Sequence, residues 1–205
     1  MRKKLRSVSL SVAVAVTVTS AAAALALPSS AYADPIELEA ALQAGGATNP
    51  GWIGNPFAFG FGGRAGASIY GFYGGLSATY YLGAGGGVDG FHSLLIGLEA
   101  GYTLKLGRVR LRPQVGFGEG SFSQVVADGA LNPTTTDMVG NVYVEPALVA
   151  LVTLGPIFVG ADAGAILLPG FTLASPVNAS GMPEYPAVAK TYGSFSAHGQ
   201  VGVRF

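Results

Sequence analysis

Phe195-Ser196-Ala197-His198-Gly199-Gln200-Val201-Gly202-Val203-Arg204-Phe205 closes the chain, and its side chains change character at almost every step. Phe195, Ala197, Gly199, Val201, Val203 and Phe205 fall on one face of an extended strand, while Ser194, Ser196, His198, Gln200 and Arg204 fall on the other. This period of two predicts a strand over Thr191 to Phe205 that divides an apolar environment from a polar one.

The same alternation recurs in Ile36 to Ala44, Phe57 to Ala67, Tyr70 to Leu82, Ser93 to Leu106, Val109 to Gly120, Asn141 to Leu154 and Ile157 to Leu167. Each segment is near the length of a tilted strand that crosses a bilayer. Leu94, Ile96, Leu98, Ala100, Tyr102 and Leu104 share one face, with Glu99, Thr103 and Lys105 opposite; Leu111, Pro113, Val115 and Phe117 likewise oppose Arg110, Arg112 and Gln114. Short connections at Ser68-Ile69, Gly107-Arg108 and Gly155-Pro156 alternate strictly with the longer Gly45 to Pro56, Gly83 to Phe91, Ser121 to Gly140 and Leu168 to Lys190. Tight turns on one side and long loops on the other are the asymmetry of a transmembrane barrel.

The opposite end of the chain supplies a route to a membrane. Met1-Arg2-Lys3-Lys4-Leu5-Arg6 precedes an apolar stretch from Val8 to Leu27 and the small residues Ala31-Tyr32-Ala33, the three regions of a secretory signal peptide. The expected division is therefore a leader over 1–33 and one barrel domain over 34–205. Losing the leader leaves seven basic residues against eleven acidic ones and no basic cluster, so nucleic acid is not an expected partner. With no cysteine the chain has neither a disulfide nor a thiol for lipid attachment.

Only 11% of residues are charged while 50% are hydrophobic, against roughly 25% charged in soluble domains. Yet the most apolar stretch, Pro146 to Pro169, is broken by Gly155-Pro156, Gly160, Asp162 and Gly164, short of the roughly 20 apolar residues of a helical span. A closed barrel is the other way to satisfy backbone hydrogen bonds in lipid. The fold class read from the sequence is all-β: an eight-stranded antiparallel up-and-down transmembrane barrel. A soluble sandwich accounts for strands and leader, but not for the strict loop alternation or the terminal Phe205. Phe57, Tyr70, Phe72, Tyr80, Phe195 and Phe205 lie near strand ends and are expected in aromatic girdles at the two interfaces.

In architecture the mature chain resembles the small eight-stranded outer-membrane barrels of the OmpA and OmpX type. Its terminal Gly199-Gln200-Val201-Gly202-Val203-Arg204-Phe205 is similar to the signal read by the barrel assembly machinery, with Val201, Val203 and Phe205 as the apolar positions; the usual glycine falls at Gly199 instead of at Gln200. Pro56 to Gly66 and Gly74 to Gly83 are similar to outer-membrane proteins of the myxobacterial type, a likeness that implies no activity. The resemblance implies a monomer in outer-membrane lipid, assembled by that machinery.

Eight strands enclose a lumen just wide enough for side chains to fill. Inward positions carry Glu37, Glu39, Glu99, Glu145 and Asp162 against Arg64, Lys105, Arg110, Arg112 and Arg204. Balanced charge predicts a compensated polar core, because desolvated ions need partners. Arg204 is expected beside the two glutamates of the first strand, and Asp162 beside His198, where a carboxylate could make the histidine proton-sensitive. Gly60, Gly62, Gly97, Gly101, Gly116, Gly118 and Gly202 on the same face relieve crowding.

Other chemistry is sparse. His198 has Ser194 and Ser196 on its own strand, and His92 has Ser93 and Asp89 nearby, but neither spacing sets a nucleophile against a base. Two histidines without cysteine do not make a zinc site; Asp128, Asn132 and Asp137 are a weak calcium set. Gly83-Ala84-Gly85-Gly86-Gly87 lacks the lysine of a phosphate-binding loop. No catalytic residue, cofactor or metal is expected. The leading reading is a non-enzymatic barrel with an envelope-structural or surface-interaction role, with a narrow solute conduit and a lipid-modifying enzyme as alternatives.

Overall fold

A computed structural model of the chain describes residues 36–87, 91–127, 133–135, 138–173 and 188–205. They form β1 (Ile36–Ala47), β2 (Asn55–Ile69), β3 (Phe72–Ala84), β4 (His92–Tyr102), β5 (Leu104–Leu106), β6 (Val109–Phe122), β7 (Val125–Ala127), β8 (Pro133–Thr135), β9 (Val139–Leu154), β10 (Ile157–Thr172) and β11 (Ala189–Arg204). β4 and β5 are one strand interrupted at Thr103, both pairing with β6. Consecutive barrel strands pair antiparallel, and β1 pairs with β11, so the ring of eight closes. β7 and β8 make a separate small hairpin in the third long connection.

Following the paired register around the ring from Ser121 through Leu94, Tyr80, Phe61, Ala44, Gly199, Ala161 and Ala150 returns to the same strand ten residues lower, at Leu111. Such a stagger tilts the strands by roughly 40° and sets the barrel's narrow bore. Burial is inverted relative to a soluble protein. Along β1 the burial alternates, with Glu37, Glu39 and Gln43 inside and Ile36, Leu38 and Leu42 outside, the last 71% exposed. Across the other strands Ile96, Leu98, Phe117, Leu148 and Val201 continue the apolar outer wall, a surface that water does not favour.

Three tight turns and both strand termini Ile36 and Arg204 lie at one end; the long connections lie at the other. Gly107 (φ 66°) and Gly155 (φ 69°) take the first turn position with positive φ, which a II′ hairpin reserves for glycine. The remaining turn departs from the sequence reading. Ser68 and Ile69 are still strand, paired with Tyr73 and Phe72, and the chain reverses at Tyr70-Gly71. Tyr70 has φ 50°, a conformation rare for a bulky residue, so nothing in its type marks the turn.

Two irregularities break the alternation at the loop end, one between Asn55 and Phe59 in β2 and one between Leu168 and Phe171 in β10. A bulge adds a residue and flips the side chains beyond it. Phe57 is thereby fully buried inside the barrel, which corrects its expected place in an outer girdle. Phe171 turns inward past Pro169 and Gly170, and β10 runs five residues beyond the expected Leu167. Tyr70, Phe72 and Phe205 do lie exposed at the turn end, as does Phe195 toward the loop end.

Candidate functional site

Among the described residues charge concentrates in the lumen, which is best followed from the turn end upward. There Glu37 accepts hydrogen bonds from Lys105 Nζ at 2.6 Å and from Arg110 Nη1, with Arg204 Nε 3.6 Å away. Glu39 accepts from Arg112 Nη1 and, at 3.2 Å, from Arg204 Nη2. Arg112 Nε donates to Gln114 Oε1 at 3.0 Å, and its guanidinium lies 3.6 Å over the Tyr73 ring. Arg204 faces the Phe158 ring at 5.2 Å, a contact that lets an arginine be buried against apolar surface. Strand geometry explains the gathering: Glu39 and Arg204 are direct partners across the β1–β11 closure.

Above this mouth Arg64 reaches across the bore, placing Nη2 3.3 Å from Asp162 and 3.4 Å from Glu99. Tyr73 donates to the other Glu99 oxygen at 3.2 Å. Asp162 and His198 are cross-strand partners, with His198 Nδ1 2.8 Å from Asp162 Oδ1. An Nδ1–H donated to Asp162 leaves Nε2 to accept from the Tyr81 hydroxyl, 2.8 Å away. Ser196 donates to Glu145 at 2.8 Å, and Gln43 Nε2 to Thr79 at 2.6 Å. The backbone makes the room: a Cβ on Gly60 would lie 2.5 Å from the Tyr81 ring, and one on Gly45 2.8 Å from His198 Cδ2.

The loop-side end is apolar, not part of the polar core. Trp52, Phe57, Tyr81, Leu95, Phe122, Tyr143, Ile166, Leu168 and Phe171 form one buried cluster, with Tyr192 against it. Trp52 stacks on Phe171 at 4.8 Å, and Phe57 meets Tyr81 at 5.3 Å and Phe122 at 5.8 Å edge to face. Trp52 comes from the first long connection. Asn49 holds it there, accepting from Gly51 N and Trp52 N at 2.9 and 2.8 Å. Phe91 and Val125, from the next two connections, pack against Gly54. This plug was not anticipated from the sequence, although Tyr81, Leu95 and Phe122 obey the simple alternation that reveals it.

All eleven inward charges and histidine named from the sequence, Glu37, Glu39, Arg64, Glu99, Lys105, Arg110, Arg112, Glu145, Asp162, His198 and Arg204, thus sit in two connected layers. Lys105 is the most open, its side chain 30% exposed. Val201, Val203 and Phe205 face outward at the turn end. The serine and histidine sets do not assemble. Ser93 is buried inside, whereas His92 is on the outer face, stacked 5.4 Å from Tyr80; Ser194 donates to the Thr48 carbonyl and Ser196 to Glu145. The leader, Asp89, Asp128, Asn132 and Asp137 lie outside the described residues. Among the described residues no group of three His, Asp or Glu side chains is placed to hold a metal. Glu119, on the face of Val115 and Phe117, belongs to the outer wall.

No protein-family model and no curated protein matches the chain. Its backbone is similar to that of Neisserial surface protein A, with a TM-score of 0.50 and 17% identity over 85% of this chain and 100% of that one. Weaker similarities are to the N-terminal β-barrel domain of Pseudomonas aeruginosa OprF (TM-score 0.48, 14% identity, 82% and 97% covered) and to Ail, the attachment invasion locus protein of Yersinia pestis, solved with a heparin analogue (0.45, 11%, 83% and 97%). The first of these likenesses places the chain in the fold of small outer-membrane barrels.

Proposed function

We propose that the chain is a non-enzymatic, monomeric β-barrel of a bacterial outer membrane, with a structural role in the envelope or in surface interaction through its four long connections. The observation that carries this reading is a lumen filled from end to end inside an apolar wall: ion pairs at the turn side, aromatic rings at the loop side. A bore packed with partnered side chains favours a rigid post over a conduit. Turns at the periplasmic side and loops outside follow from the usual orientation of such barrels. Export by the Met1–Ala33 leader and insertion by the barrel assembly machinery, through Val201, Val203 and Phe205, complete the proposal.

Electrophoresis of isolated outer membranes in SDS, unboiled against boiled, tests it. The expected result is two mobilities, because a closed barrel resists the detergent until heated. A single mobility with the protein in the soluble fraction would overturn the reading.

A further inference from the structure

Acids and bases of the lumen balance in number but not in place. At the turn end Lys105, Arg110, Arg112 and Arg204 surround Glu37 and Glu39, four cations to two carboxylates. In the middle layer Glu99, Glu145 and Asp162 outnumber Arg64 even with His198 counted as a cation. The bore is therefore polarised, positive at its turn-side mouth and negative above it. Lys105 and Arg110 are direct cross-strand partners, a placement that like charges disfavour. Arg110 and Arg204 also converge on one oxygen of Glu37. Arg108, in the turn that joins β5 to β6, adds to the same field.

The mouth also holds more donors than acceptors. Arg110 Nε, Arg112 Nη2 and Arg204 Nε and Nη1 are buried and donate no hydrogen bond to a described residue. An unpaired buried guanidinium N–H is costly, and the two carboxylates of the layer are already shared among four cations. Lys105 gives one of its three ammonium N–H groups to Glu37. Its side chain is 30% exposed and that of Arg110 14%, so the layer opens to solvent on their side. Positive excess, spare N–H groups and an open side together select an anion with several acceptor oxygens.

We propose that the turn-side mouth binds a phosphate oxyanion. It enters beside Lys105, accepts from the spare Nζ hydrogens, and draws the Arg110 and Arg204 guanidiniums toward itself while Glu37 keeps them together. Guanidinium forks match phosphate oxygens in pairs, whereas chloride offers charge without divergent acceptors. Glu99, Glu145 and Asp162 repel the anion from above, so the site is a dead end in the bore and not a conduit. Free phosphate and the phosphate of an anionic lipid headgroup in the turn-side leaflet both satisfy this chemistry. The inference rests on the closed-barrel reading and is independent of any role of the long connections.

NMR of the refolded full chain tests it, with isotope-labelled arginine and the protein in phosphatidylcholine nanodiscs. Sodium phosphate is titrated against sodium chloride at matched ionic strength while the arginine Nε–Hε resonances are followed. Phosphate is expected to give saturable shifts at Arg110, Arg112 and Arg204 that chloride does not give, with Arg64 in the middle layer unmoved. Lys105→Ala weakens the response by about two- to five-fold, the range of an exposed ion pair, and Lys190→Ala, which removes a cation at the loop end, leaves it unchanged. The same shifts in phosphatidylglycerol nanodiscs without added phosphate assign the oxyanion to a headgroup; shifts that need added phosphate assign it to the free ion. Equal shifts in both salts with no response to phosphatidylglycerol would overturn the proposal, as would full affinity in Lys105→Ala. The heat-dependent mobility shift, measured on the same samples, separates failure of this site from failure of the barrel reading.

Discussion

At the turn end of the lumen Glu37 and Glu39 hold Lys105, Arg110, Arg112 and Arg204 around two carboxylates; at the loop end Trp52, Phe57, Phe122 and Phe171 meet rings and aliphatic chains. Both regions fill the lumen, the first with an open rim at Lys105, but they depend on their parts differently. A buried ion loses its hydration on folding and recovers it only from partners, so each charge in the turn-side and middle layers is stabilising only while its neighbours are present. Aromatic contacts accumulate with buried area, and each ring contributes its share independently of charge. Tyr81 joins the two regimes, with its ring against Phe57 and its hydroxyl on His198. The polar half thus fixes which strand faces inward, while the apolar half closes the bore beneath the loops.

Breaking the polar half should have the largest effect. Arg64→Ala leaves Glu99 and Asp162 without their shared cation, a loss of about 3–5 kcal/mol, read as a lowered urea midpoint of the folded electrophoretic form. Phe57→Ala on the apolar side should lower the same midpoint by about 3–4 kcal/mol through the cavity it leaves, with Phe57→Leu recovering most of it. Tyr81→Phe sharpens the comparison at the junction: the ring stays, the bond to His198 goes, and the expected loss is about 1 kcal/mol. Lys105→Ala removes the 30%-exposed member of the mouth, and a change of about 0.2–1 kcal/mol is expected, shrinking in high salt. A Lys105 effect equal to that of Arg64 would contradict a dry middle layer.

Much of this plan was legible in the alternation. Glu39, Arg112, Asp162 and Arg204 stand on the strand face that their period of two predicts, and the partnership of Asp162 with His198 follows from counting along two antiparallel strands from one tight turn. The plug was harder to read for two reasons. Phe57 and Phe171 point inward because bulges shift the period, and the sequence around them carries no feature that announces a bulge as clearly as a charge announces the lumen. Trp52 enters from a loop, where no period exists. The turn at Tyr70-Gly71 was displaced by two residues because a tyrosine occupies the left-handed conformation usually taken by glycine or asparagine. Glu119 was overlooked for a different reason: it obeys the alternation, and only its charge is out of place.

Single-channel recording of the refolded protein in planar bilayers tests the filled lumen most directly. The two closed layers predict no stepwise conductance above the bare bilayer, in wild type and in Lys105→Ala alike. Reproducible conductance steps from the wild-type protein would contradict a lumen closed by side chains and make it a conduit.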